Sequence, residues 1–185
     1  MLTRVTAAAV LVLGLSVFGA PAPAAAADSE NLQLFRDVQR QVLRYVHFTI
    51  FDQVHTQIDD GVVTLTGRVT MPYKRNDIER RVSRVDGVVK VNNLIEVLPV
   101  SQFDDDLRLR LARAIYGNPA FRPYASMVNP PIHIIVERGR VTLDGVVNND
   151  VDRMIARSIA TSFLAFDVKN ELKTTQEARE ELEKL

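Results

Sequence analysis

Asp60-Gly61-Val62-Val63-Thr64-Leu65-Thr66-Gly67 and Arg138-Gly139-Arg140-Val141-Thr142-Leu143-Asp144-Gly145 are one pattern written twice, 78 residues apart. Self-similarity at a fixed spacing marks a repeated structural unit and outranks other sequence signals. The match extends backwards to the pairs Val54-His55 and Ile132-His133. After a one-residue slip, Ile78 and Val82 fall on Ile155 and Ile159, and Val89, Val91, Asn93 and Ile95 fall on Phe166, Val168, Asn170 and Leu172. Upstream, Val38, Val42 and Val46 match Leu107, Leu111 and Ile115 at a shift of 69, so the second copy carries nine extra residues before its first strand.

Each copy reads as αββαβ. Apolar residues spaced by four form a first helix, with acids at its start (Asp37, or Asp104-Asp105-Asp106) favoured by the helix dipole. Asp59-Asp60-Gly61 and Glu137-Arg138-Gly139 supply a tight reversal, with glycine where positive φ is needed. The strand that follows alternates Val63 and Leu65 with Thr64 and Thr66, or Val141 and Leu143 with Thr142 and Asp144, so one face is packed and one is wet. A second amphipathic helix and a third alternating strand close the unit. The expected fold is α+β: two tandem modules, each a three-stranded mixed sheet with two helices on one face and a right-handed crossover into strand three. The boundaries fall at 32–98 and 104–173, with a charged tail at 174–185 expected to form a solvated, frayed helix. Modules of about 70 residues have little stability to spare. No cysteine is present to staple them, and the short, mostly apolar connector Leu98-Pro99-Val100-Ser101 predicts modules in contact.

The N-terminus reads as an export signal: Arg4, an apolar run from Val5 to Ala20, then small residues with Ala25-x-Ala27 placing cleavage after Ala27. The run is too short to span a bilayer, which takes roughly 20 apolar residues. The absence of cysteine excludes a lipid-modified N-terminal Cys, so the expected location is periplasmic, with no transmembrane segment in the mature chain. The chain carries 23 Lys+Arg and 23 Asp+Glu, and loss of residues 1–27 removes only Arg4. Such balance argues against a nucleic-acid partner, which demands a basic field.

The repeated Gly-x-Val-Thr-Leu-x-Gly, the following amphipathic helix and the closing Val-x-Asn-x-Ile/Leu resemble the BON domain of bacterial envelope proteins. Two copies behind a signal peptide are similar to the osmotically inducible periplasmic type. The resemblance implies a non-enzymatic protein that binds phospholipid surfaces, with a possible protective role under osmotic or envelope stress. The alternative it leaves open is a protein- or polymer-interaction module of the envelope without direct lipid contact, using a sheet edge to accept a partner strand. No cofactor is implied.

The residues show no nucleophile–base pair. The three histidines, His47, His55 and His133, lack the ligand spacing of a metal site; His55 and His133 are expected on the sheet face away from the helices, or between modules. Asp59-Asp60 and Asp104–Asp106 are explained by turn and cap chemistry. Asn93 and Asn170 are expected to point inward as hydrogen-bonded structural residues. Two basic patches remain. Arg108, Arg110 and Arg113 lead into Tyr116, Phe121, Arg122 and Tyr124, a mixture suited to a headgroup layer. The competing reading folds Phe121 and Tyr124 back over the core. A secondary patch comprises Lys74, Arg75, Arg80, Arg81 and Arg84. At about 1 kcal/mol per basic residue near an anionic surface, three arginines fall short of the roughly 4 kcal/mol of millimolar affinity. Apolar insertion or use of both copies is required.

Overall fold

A computed structural model describes residues 23–183. The first module runs α1 (Pro23–Leu43), β1 (Gln53–Asp59), β2 (Val62–Val69), α2 (Pro72–Val82) and β3 (Lys90–Val97). The second runs α3 (Gln102–Tyr116), a 3-10 turn (Pro119–Phe121), the short α4 (Arg122–Ala125), β4 (Ile132–Glu137), β5 (Arg140–Val147), α5 (Asp150–Thr161) and β6 (Asp167–Thr174). The chain ends with α6 (Thr175–Leu182). Each sheet is mixed, in the order β1-β2-β3 or β4-β5-β6: the hairpin is antiparallel, and the strand returning after the helix is parallel to the middle one. The expected α+β pair of modules is the observed architecture. The leader expected at 1–27 falls largely outside the described residues.

Two glycine pairs fix the sheets. Asp60 and Gly61 (φ 45° and 76°), like Arg138 and Gly139 (51° and 74°), hold positive φ at both central positions. That is the type I′ geometry whose twist suits a two-residue hairpin. Gly67 and Gly145 lie inside strands with φ near +120°, and a Cβ there would sit 2.2 Å from the Gln53 carbonyl oxygen or 1.8 Å from that of Pro131. Only hydrogen fits.

The helix faces pack as the spacing requires. Val38, Val42, Val63, Leu65, Ile78, Val82 and Ile95 are buried in the first core; Leu107, Leu111, Ile115, Val141, Leu143 and Leu172 fill the second. Three details correct the sequence reading. α1 starts well before Asp37 and ends at Leu43, so Val46 is exposed and Tyr45 takes the buried place beyond the helix. The slip between copies falls after the second helix, not before it. Ala156 and Ala160, rather than Ile155 and Ile159, are the fully buried counterparts of Ile78 and Val82. Asn93 donates to the Arg75 carbonyl and Asn170 to that of Arg153, which again sets α5 against α2 at a shift of 78. Finally, Asp104 is not the cap of α3. Ser101 is, and the buried Asp104 carboxylate accepts the Arg138 and Gly139 N–H groups at 2.8 Å, tying helix to hairpin. Asn93 and Asn170 also accept from Ile95 and Leu172 N–H, the inward structural role expected of them.

The modules touch directly. The Ile134 N–H on the edge of β4 donates to the Ile50 carbonyl at 2.7 Å, and Phe51 packs against the second core. His133 and Glu137 share the face away from the helices; His133 stacks on Phe48 (5.3 Å) and Glu137 pairs with Arg68 (3.1 Å). Between them Ile135, on that same face, is only 2% exposed. The loop that clasps β4 is itself held by Asp52, which accepts from the N–H and hydroxyl of both Thr49 and Thr70 and from Lys74 Nζ at 2.6 Å.

The tail is not a frayed extension. Thr174 and Glu177 form a reciprocal capping box at the start of α6, and both Glu177 carboxylate oxygens accept from Arg153 Nη1. Those bonds hold the Glu177 carboxyl below its ordinary range, the Thr174 N–H contributing most.

Candidate membrane-facing surface

Half of the sequence-selected aromatic and basic residues turn out to build the module. Arg108 is buried, bonded to Asp105 and to the Val136 carbonyl. The Tyr116 hydroxyl bridges the Ile132 N–H and carbonyl, and burial raises its pKa. Phe121 is fully buried; Tyr124 donates to Asp152 and accepts from the Asn148 N–H. Burial first, then the bond to Asp152, pushes the Tyr124 phenol up to about 12. The extra residues of the second copy therefore join its own core, the same cluster that holds Ala156 and Ala160. Arg122 is exposed on that cap. In the secondary patch Lys74 is buried against Asp52, and Arg81 lies 5.1 Å over the Tyr45 ring. Arg75, Arg80 and Arg84 stay exposed, Arg80 beside Asp77 at 3.4 Å. Lys74 and Asp152 occupy the same helical position, so each module ties its loop to its second helix there with opposite polarity.

The residues left facing solvent gather elsewhere. Beside the hairpin turn of the second module Phe166 is 83% exposed and Phe103 49%, and Leu164, two residues before Phe166 in the chain, is 86% exposed. The Phe166 N–H bonds the Gly139 carbonyl, and both phenyl rings lie against that glycine, with a Cβ there only 2.7 Å from Phe166 and 3.4 Å from Phe103. Arg138 and Arg140 of the turn are exposed beside them, as are Asp106 and Asp167. From Phe103, the exposed Asp106, Arg110 and Arg113 continue along α3 at spacings of three, four and three, one outward stripe. The first module's tip differs: Asp60 and Val62 stand in place of Arg138 and Arg140, Val89 replaces Phe166, and the counterpart of Phe103 is the buried Leu34. Sequence reasoning passed over Phe103, Leu164 and Phe166 because strand alternation assigned Phe166 to the core. In the structure Val89 and Phe166 stand one residue outside the paired ladder.

Among the described residues no three His, Cys, Asp or Glu side chains are grouped to hold a metal ion, and no helix is long and apolar enough to cross a membrane. The fold defines a tandem pair of one α+β module. The BON domain description matches residues 33–99 and 104–176, so the chain belongs to the BON domain family. No curated protein matches it. Among solved structures it is similar to CdsD, a structural protein of the Type III secretion system of Chlamydia trachomatis, at 14% identity over 82% of this chain and 97% of that one, TM-score 0.28. The C-terminal domain of CdsD matches at 12% identity over 75% and 96%, again at 0.28.

Proposed function

We propose that this is a non-enzymatic periplasmic protein that binds phospholipid surfaces through the second module's tip. The observation that supports this most is the pair of exposed rings, Phe103 and Phe166, against the Gly139 turn, with the exposed Leu164 two residues before Phe166. Isolated exposed apolar residues are ordinary, but a cluster of them is a usual sign of an interaction site. Full burial of a Leu or Phe side chain contributes about 1.5–3 kcal/mol. With Phe103 already half covered, the trio supplies about 5 kcal/mol, which corresponds to submillimolar affinity. Arg138 and Arg140 are offset by Asp106 and Asp167, so the tip is not held by charge. Arg110 and Arg113 add headgroup attraction of about 1 kcal/mol each, lost in salt.

Co-sedimentation with phosphatidylglycerol/phosphatidylethanolamine vesicles tests the reading. Binding should persist at high salt and fall at least tenfold in Leu164→Ser/Phe166→Ser. Arg110→Gln/Arg113→Gln should weaken it about thirtyfold at low salt only, from two basic contacts. Failure of the native protein to bind, or full binding by the tip variant, overturns it.

A further inference from the structure

The margin of β4 is closed by the chain itself, through the bond from Ile134 to Ile50. The margin of β6 is open. The Phe166 N–H turns inward to Gly139, and backbone groups alternate in direction along a strand. Asp167, Lys169, Glu171 and Lys173 therefore turn their N–H and C=O groups outward. Among the described residues no backbone group of another element meets them. Asp167, Lys169 and Lys173 are exposed, and Glu171 is half-buried. The first module holds this sheet through β4 and β5, where Arg68 pairs with Glu137 and His55 stands beside Asp144, and reaches Glu171 through Gln53.

A row of unpaired backbone groups is a template for another strand, and charged side chains usually blunt it. On β6 the charges have a different property: Asp167-x-Lys169-x-Glu171-x-Lys173 reads the same from either end with its signs reversed. Laid antiparallel against a copy of itself about Asn170, the strand sets Asp167 opposite Lys173 and Lys169 opposite Glu171. All the outward-facing positions then fall into hydrogen-bonded pairs, with about eight N–H···O=C bonds in total. A slip of two residues one way sets Asp167 against Glu171 and Lys169 against itself. The same slip the other way sets Lys169 against Lys173 and Glu171 against itself. Like charges directly opposite are destabilising, so the charges bar the neighbouring registers and admit this one.

We infer that β6 is a self-complementary edge through which two copies of this chain join as an antiparallel two-fold dimer, their second-module sheets continuous. Complementarity of a strand to itself is what an isologous contact requires, and a strand from a different protein would not demand it. The equivalent edge of the first module lacks the property: β3 laid on itself about Asn93 sets Lys90 against Glu96 but Asn92 against Leu94. Lys169 already bridges Glu171 along its own strand, and Lys173 reaches Glu181. Exchanging those partners adds little attraction, so the charges set the register and the backbone bonds supply the affinity. The dimer is accordingly weak and concentration-dependent. It does not rest on membrane binding at the hairpin turn.

Sedimentation velocity of the purified protein over about a hundredfold range of concentration should show monomer giving way to dimer. Lys169→Pro removes an outward N–H that bonds nothing within the monomer, so it should weaken the dimer at least tenfold while circular dichroism stays native. Lys169→Glu and Glu171→Lys each set like charges at both symmetry-related pairs and should weaken it about tenfold. The double swap Lys169→Glu/Glu171→Lys should restore it, which a merely destabilised edge would not do. Asp167→Cys/Lys173→Cys reads the register in a chain that otherwise has no cysteine. The two positions lie about 20 Å apart along one strand, too far to bridge within a copy. Across the two-fold they face each other, so oxidation should give a covalent dimer, and adding Lys169→Pro should prevent it. A protein that stays monomeric throughout leaves the edge to a strand of another protein and overturns the inference. So does a dimer unaffected by Lys169→Pro, or a double swap no tighter than the single variants.

Discussion

Replacing Asp52 by alanine tests how the first module is held together and how it grips the second. The carboxylate is fully buried and takes five hydrogen bonds, three of them onto one oxygen. Its removal leaves the Lys74 ammonium, 4% exposed, without its counter-ion. Breaking a buried pair from one side costs about 3–5 kcal/mol. The orphaned N–H groups of Thr49 and Thr70 add to that, though less than additively. We expect Asp52→Ala to lose at least about 4 kcal/mol, a large fraction of the stability of a small domain. Lys74→Met should cost less, because four neutral donors still satisfy the carboxylate. The double variant should be more stable than the sum of the two losses by about 2 kcal/mol. The chain has no tryptophan, so urea unfolding is best followed by circular dichroism. Thr49 precedes the Ile50 carbonyl that clasps β4, so the Asp52→Ala curve should also separate into two transitions. A loss below 1.5 kcal/mol, or an additive cycle, would refute the reasoning.

Acid should weaken the module contact through His133. Burial lowers its pKa below the ordinary 6.5, despite the opposing pull of Asp144 and of Asp52 with the Thr49 carbonyl. The unfolded chain then binds the proton more tightly, so this contribution is complete above pH 6.5 and is lost as pH falls below it. His133→Phe, which keeps a ring against Phe48, should flatten the decline in urea midpoint between pH 7.5 and 5.5; an unchanged slope would rule the histidine out. Gly145→Ala meets both positive φ and the Pro131 carbonyl, and we expect a loss of about 3 kcal/mol or more in the same unfolding assay. A loss below 1 kcal/mol would mean that β4 shifts freely.

The repeat made the architecture legible. Glycine at 61, 67, 139 and 145 occupies positions whose backbone excludes side chains, and alternating strands around them leave one face to bury. What the pattern hid were substitutions that conserve burial rather than size. Ala156 and Ala160 take the buried positions of Ile78 and Val82, in a core that Phe121 and Tyr124 enter from a distant segment. Alignment by hydrophobicity therefore chose Ile155 and Ile159. The same aromatics looked available to a membrane because sequence shows the composition of an insertion and not the direction in which it folds. The hairpin tip escaped for the converse reason: a phenylalanine heading a strand reads as core unless the last rung of the ladder is known.

The burial of Ile135 has an evolutionary corollary. In a solitary copy that position would face water on a strand with an open margin, an invitation to stick to other chains. Beside the first copy isoleucine is harmless there, and no polar residue is required. The duplicated halves are thus dependent on one another: the second cannot leave the first without exposing an apolar strand face.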